Sequence, residues 1–136
     1  MAKIVAYLSC PGKTREVMTF YKECLGGELE IMEVKDTPSC ESMPKDMQGQ
    51  IMHSSLTNGN LQLMCTDMQG PEGVTVGSNV SLMLDCDNEA QIRDWYAKLS
   101  DGGSANSPVS PAFWGGLFGH LTDKFGVNWL LNCTNP

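Results

Sequence analysis

Few side chains in this sequence can do chemistry near neutral pH. Histidine occurs twice, at His53 and His120, and cysteine six times, at Cys10, Cys24, Cys40, Cys65, Cys86 and Cys133. Histidine is the side chain whose ordinary pKa lies near neutrality, so these two are the candidate general acid and base. The plainer alternative is that each hydrogen-bonds locally beside a turn or strand end. Cys65 is a candidate nucleophile on one condition, that His53 comes close enough to hold it ionised. The bland reading of Cys65, as of the other cysteines, is a small buried hydrophobe. No two cysteines lie within four residues of one another, which excludes a CxxC redox motif and a zinc knuckle. Glu41, Asp46 and Asp67 fall in loop segments, with solvated surface as their default.

The elements that must position these groups are written in hydrophobic periodicity. After Pro11-Gly12, apolar residues at Val17, Phe20, Tyr21, Cys24 and Leu25 form the stripe of an amphipathic helix. Gly26-Gly27 stops it, because glycine takes a left-handed terminal conformation without a Cβ penalty. A second helix starts at Asp87 or Asn88, runs on Ile92, Trp95, Tyr96 and Leu99, and ends at Gly102-Gly103. Strands flank both helices: KIVAYLS at 3–9 before the first, SNVSLML at 78–84 before the second. Hairpins follow at 51–65 and 116–132. Asn58-Gly59 predicts a two-residue type I′ turn, and Asp123–Gly126 turns the second hairpin. Each half therefore reads strand, helix, strand, hairpin. The chain is a duplicated α+β unit, one domain over 1–136, with module one at about 1–68, a linker at about 69–76 and module two at about 77–136. Residues 36–50 and 68–77, rich in Pro, Gly, Ser and polar residues, are the loop and the linker.

Composition excludes several functions. The 136 residues carry 16 acids and nine bases, a net charge of −7 divided nearly evenly between the halves. Nucleic acid needs a basic face and finds none in this pattern. No apolar run approaches the roughly 20 residues of a membrane span. The opening MAKIVAYLSC lacks the h-region of a secretory signal, so the expected compartment is the cytoplasm, with reduced thiols.

Four stretches, FYKECLGGELE at 20–30, MHSSL at 52–56, LQLMCTD at 61–67 and FGHLTDKFGVNW at 118–129, resemble in series the vicinal-oxygen-chelate superfamily of glyoxalase I, extradiol dioxygenases and bleomycin-resistance proteins. The branch they are most similar to is PhnB-like, demethylubiquinone methyltransferase-like by label. The resemblance implies two βαβββ modules, a curled mixed sheet around a cavity, helices on the convex side, and a homodimer. Strand parity fits this arrangement independently. Val80, Leu82 and Leu84 share an apolar face opposite Asn79, Ser81 and Met83. Trp129 and Leu131 share another, opposite Asn128, Leu130 and Asn132. In the strand around His120, Leu117 and Leu121 with Gly115 and Gly119 suit packing beneath a helix. His53, Ser55, Trp114, Phe118 and His120 fall on the cavity parity.

Metal-dependent members of the superfamily hold a divalent ion on four strands. Counting from the helix aromatics and the turn glycines, those positions fall on Ala6, Leu63, Asn79 and Leu130, with Gln62 one residue away from Leu63. None carries imidazole or carboxylate, so no cofactor is expected, and a divalent metal only at a displaced site. The ligand the resemblance implies is a small, mostly apolar or aromatic molecule. Cys65, Asn79, Ser81, Met83, Trp114, Phe118 and Asn128 are its expected contacts. The methionines concentrated around the central loop and first hairpin, Met43, Met47, Met52, Met64 and Met68 with Met83 beyond, suit an adaptable pocket or core filling alike. Two other functions stay open. One is a lyase, isomerase or dioxygenase relative using His53/His120 acid–base chemistry or a displaced metal. The other is a dimeric interaction module with its cavity filled.

Overall fold

The computed structural model describes residues 2–136. The chain divides into two compact units, the first running to Thr75 and the second spanning Val76–Pro136. The first contains β1 (Ala6–Ser9), α1 (Thr14–Leu25), β2 (Glu28–Glu33), β3 (Ile51–Asn58) and β4 (Leu61–Thr66). The second contains β5 (Ser81–Asp85), α2 (Glu89–Ser100), β6 (Ser104–Pro111), β7 (Leu117–Thr122) and β8 (Asn128–Cys133). Each forms a four-stranded mixed sheet, in the orders β1-β4-β3-β2 and β5-β8-β7-β6. The α+β class and the repeated βαβββ order expected from sequence are present. Among the described residues no helix is long and apolar enough to cross a membrane.

Each helix buries one face on its own sheet. Val17, Met18, Tyr21, Cys24 and Leu25 of α1 are buried, as are Ile92, Tyr96 and Leu99 of α2. Fully covering each larger apolar side chain is worth about 1.5–3 kcal/mol, the main force holding helix to sheet. Phe20 and Trp95, expected in the stripes, are only half-buried at their margins. Asn88 is the N-cap of α2, accepting the Gln91 backbone N–H at 2.9 Å. Its rival for that role, Asp87, lies one residue too early. The start of α1 has no side-chain cap from Lys13. The carboxylate of Asp67, distant in sequence, accepts the Thr14 N–H instead, at 3.1 Å.

The glycine pairs end the helices for a reason visible in the repeat. Gly27 has φ +96°, and a Cβ there would strike the Thr57 carbonyl; a Cβ on Gly103 would strike the Thr122 carbonyl. Thr57 pairs with Glu28, and Thr122 with Ser104, so both glycines sit where a new strand starts against the end of its neighbour. Only a missing side chain allows that approach.

Three boundaries differ from the sequence reading. β1 and β5 begin later than 3 and 78, since residues 2–5 and 76–80 have no strand partner. The first hairpin pairs Asn58 with Leu61, so its two loop residues are Gly59 and Asn60. Only Gly59 has positive φ, +57°, which is the II′ pattern rather than I′. Asn58 has another task, donating its Nδ2 to the Leu25 carbonyl at the end of α1, at 2.7 Å. The segment 36–50 is not featureless, because short 3-10 turns span Val34–Asp36, Pro38–Ser42 and Lys45–Met47.

Candidate functional site

Because strand side chains alternate, covering one sheet face with a helix leaves the other face to a different set of residues. In the second unit the helix-side set is Leu84, Leu117, Gly119, Leu121, Trp129, Leu131 and Cys133, all buried, with Leu82 half-buried. Gly119 belongs there by size, since a Cβ would meet the Tyr96 ring at 3.0 Å and Val109 at 3.1 Å. The open set forms three rungs across the sheet. Ser81 pairs with Asn128, and Asn128 with Thr122. Met83 pairs with Leu130, Leu130 with His120, and His120 with Ser107. Asp85 pairs with Asn132, Asn132 with Phe118, and Phe118 with Ser110. None of these side chains is buried, and Met83 is 60% exposed.

Hydrogen bonds fix the orientation of the polar members. Thr122 Oγ1 donates to Asn128 Oδ1 at 2.9 Å, and Asn132 Nδ2 donates to Asp85 Oδ1 at 3.0 Å. Tyr96 reaches from α2 to donate its hydroxyl to the His120 carbonyl at 2.9 Å, which leaves the imidazole on the far face. Trp114, in the turn before β7, meets Phe118 edge-on at 5.5 Å and Phe113 at 4.8 Å between ring centroids. At the other end of β7 Asp123, 3% exposed, holds the β7–β8 turn. Its Oδ1 accepts the N–H groups of Phe125 and Val127, and its Oδ2 accepts Trp129 Nε1–H at 2.8 Å.

The first unit has the same layout with other residues. Its open face carries Tyr7 paired with Met64, Met64 with Ser55, and Ser55 with Glu30. His53 pairs with Met32 and stacks against Tyr7, with ring centroids 6.1 Å apart and planes 28° from parallel. His53 and His120 thus belong to different units, each on the open face of its own sheet. Ser81, Met83, Phe118, His120 and Asn128 share one face as expected, with Trp114 against Phe118.

Two expected contacts change. Asn79 is exposed and precedes β5, outside the rungs. Cys65 is on the opposite parity: it pairs with Leu8 and Ser54, has no exposed surface, and lies 3.5 Å from Thr14 Oγ1 of α1. It therefore faces the helix, while His53 faces away from it, and the His53-activated nucleophile is excluded. The Cys65 thiol is nonetheless held down to about 7. A hydrogen bond from the Cys10 side chain does most of this, aided by Thr14 and the Thr66 backbone, against burial and the negative charge of Asp67. Asp67, taken as a surface loop acid, is 6% exposed and accepts Ile51 N–H at 2.7 Å as well as Thr14 N–H. Glu41 and Asp46 remain at the surface of the 3-10 segment. Tyr7 and Asp85 are members of the open faces that sequence reasoning missed, although the alternation of AYLS and SLMLD places them, and Asn132 takes the face expected of it.

The sequence profile of the family described as 3-demethylubiquinone-9 3-methyltransferase matches residues 2–132. The chain belongs to this PhnB-like family. Escherichia coli K12 protein YjdN is 30% identical over 135 residues, covering 93% of this chain and 91% of the relative. The crystal structure of PA1353 from Pseudomonas aeruginosa has a TM-score of 0.85 at 36% identity, with both chains fully covered. The PhnB protein from Bacillus cereus, described as a putative 3-demethylubiquinone-9 3-methyltransferase, has a TM-score of 0.70 at 27% identity, covering 97% and 99% of the two chains. Solved glyoxalase-related and glyoxalase/bleomycin-resistance proteins, at 17% and 13% identity, share the fold.

The resemblance implied metal-ligand positions at Ala6, Leu63, Asn79 and Leu130. Ala6 and Leu63 pair with each other on the helix side of the first sheet, and Leu63 is buried, whereas Gln62, one residue away, is half-buried and donates to Ser55 on the open face. Asn79 precedes β5. Of the four positions, Leu130 lies in a rung, between Met83 and His120. Alanine, leucine and asparagine at these positions supply none of the imidazole or carboxylate donors that a divalent ion needs. Among the described residues no three His, Cys, Asp or Glu side chains stand together as a metal cluster.

Proposed function

We propose that this PhnB-like protein binds a small, mostly apolar or aromatic molecule on the open face of its second sheet, without the metal used elsewhere on this fold. The observation that carries the reading is the composition of the three rungs. Met83, Leu130 and Phe118, with Trp114 against Phe118, offer an apolar and aromatic platform. Ser81, Asn128, His120, Asn132 and Ser107 place hydrogen-bonding groups around it. An apolar floor with a few oriented polar groups is the usual make-up of a ligand site. A solvent-facing sheet would instead carry Lys and Glu.

An acid–base enzyme is the second reading, and one observation favours it. The His120 imidazole lies in the middle rung between Leu130 and Ser107, half-buried, with its backbone carbonyl fixed by Tyr96. A positioned imidazole beside a bound ligand is the minimum for proton transfer. His53 is the corresponding candidate on the first sheet. The protein is proposed to act in the cytoplasm as a homodimer, which cell fractionation and sedimentation velocity test.

A thermal-shift screen with quinones, glycopeptide antibiotics and α-keto thioesters tests the binding reading. At least one probe is expected to raise Tm, with the shift lost in Trp114→Ala and Phe118→Ala. Equal shifts in both variants, or none in the wild type, overturn it. Calorimetric titration with nickel, zinc, manganese and iron tests the metal-free reading. Stoichiometric binding abolished by His53→Ala or His120→Ala would overturn that part.

A further inference from the structure

Cys10 and Cys65 are remote in sequence and meet at the N-terminus of α1. β1 runs parallel to β4 with Leu8 opposite Cys65, and Cys10 prolongs the strand, donating its N–H to the Thr66 carbonyl at 2.9 Å. The chain then turns, with the Lys13 N–H on the Cys10 carbonyl at 2.9 Å, and α1 begins at Thr14. The Thr14 hydroxyl bridges the two cysteines, donating to the Cys10 carbonyl at 3.4 Å and lying 3.5 Å from Cys65 Sγ. The Cys10 side chain is itself a hydrogen-bonding neighbour of the Cys65 thiol. Cys65 has no exposed surface, whereas Cys10 is half-buried and so reachable from solvent.

We propose that Cys10 and Cys65 are an oxidation site, in which a hydroperoxide oxidises Cys10 and Cys65 resolves it, closing a disulfide between the β1–α1 junction and β4. The two sulfurs are in reach of one another, the Cys10 side chain hydrogen-bonding the Cys65 thiol and holding it down to about 7. Cys10, the accessible sulfur, gives its proton to solvent and attacks the outer oxygen of the hydroperoxide. The O–O bond breaks, a solvent proton converts the leaving oxyanion to an alcohol, and Cys10 becomes a sulfenic acid. Cys65 then attacks the Cys10 sulfur, its proton leaves with the hydroxyl as water, and the S–S bond forms. Two electrons pass from the two sulfurs to the peroxide.

The repeat supplies an internal control. Cys86 follows β5 as Cys10 follows β1, donating its N–H to the Asn132 carbonyl as Cys10 does to Thr66. Its sulfur neighbour is Cys133, and there burial, with the charge of Cys133 next, pushes Cys86 up to about 12. A thiol in that state is protonated at neutral pH and a poor nucleophile. At the same backbone position the first unit thus has a cysteine that lowers its neighbour's thiol, and the second a cysteine whose own thiol is raised.

The reduced full-length protein, treated at neutral pH with equimolar hydrogen peroxide and digested without reductant, is mapped by fragmentation mass spectrometry. The expected product is a Cys10–Cys65 link, with four thiols still titratable after unfolding. In Cys65→Ala, dimedone is expected to trap a sulfenic acid on Cys10. A first link between Cys86 and Cys133 overturns the proposal, as does oxidation confined to other cysteines. The wild-type map decides even if the variant does not fold.

Discussion

Replacing Asp67 by Asn changes one atom and separates two accounts of this carboxylate. If Asp67 were a solvated loop acid, the change would stay within about 0.5 kcal/mol. In the structure its two oxygens do different jobs: Oδ1 accepts Thr14 N–H at 3.1 Å, and Oδ2 accepts Ile51 N–H at 2.7 Å. An amide has one acceptor oxygen, so one backbone donor loses its partner and faces an NH2 group. Hydrogen bonds to a charged group are worth about 1.5–3 kcal/mol net, and a buried orphan donor costs about 1–3 kcal/mol. Asp67→Asn should therefore cost about 2–4 kcal/mol, a large share of the roughly 5–15 kcal/mol that domains have. Urea unfolding followed by tryptophan fluorescence measures this, with the m-value unchanged. A second readout separates loss of the bond from general loosening. The Asp67 charge raises the Cys65 pKa, so its removal should move the thiolate absorbance titration below the wild-type value of about 7. Loosening of the helix start would move it upward instead. A stability loss under about 0.5 kcal/mol, or an upward thiol shift, refutes the reasoning.

Gly119→Ala places a methyl 3.0 Å from the Tyr96 ring and should cost about 1–3 kcal/mol by overpacking, measured by thermal unfolding; a neutral result would mean that α2 can lift away freely. Trp129→Phe removes the 2.8 Å bond to the buried Asp123 and should cost about 1.5–3 kcal/mol in urea, whereas Asp123→Asn in that background should cost less than in the wild type. Stability should also vary with pH in the alkaline range. Cys65 ionises at about 7 when folded against 9.0 ordinarily, so across that window the unfolded chain binds more protons and stability rises with pH. Cys86 ionises at about 12 when folded, so from 9.0 upward the folded chain binds more protons and stability falls. Denaturation midpoints should peak near the ordinary thiol pKa of 9.0, and Cys86→Ala should flatten the alkaline fall; a steady decline from neutrality would contradict both signs.

What was legible in the sequence is what the backbone forces locally. Helix stripes and the Asn88 cap are set by residues within a turn or two of one another. The apolar alternation of NWLLNC needed no partner strand to be read. What was not legible depends on which strands pair and in which register. In LQLMCT, Leu61, Leu63 and Cys65 alternate with Gln62, Met64 and Thr66, and the apolar Met64 blurs the contrast between the faces. Its neighbour Ser54 is buried, which reads as a surface residue until its hydroxyl is seen donating to the Cys65 carbonyl at 2.7 Å. Hence Cys65 was assigned the wrong face. The Cys10–Cys65 contact needs the parallel β1–β4 pairing, and the buried role of Asp67 needs the helix start beside it; neither is carried by a local pattern.

The same distinction separates what the two units share from what they do not. Gly27 and Gly103 recur because a Cβ at either place would strike a carbonyl. No such constraint acts on the open rungs, where Tyr7, Met64 and Ser55 in one unit stand at the positions of Met83, Leu130 and His120 in the other. Nor does it act after the first strand of each unit, where Cys10 and Cys86 occupy one backbone position with different sulfur neighbours, Cys65 and Cys133. Packing keeps the scaffold twofold, and the freedom to differ lies at the positions it leaves uncovered or unconstrained. A functional difference between the units must therefore arise from the rungs and the cysteine pairs, and exchanging Ser55 with His120 would alter chemistry before it altered fold.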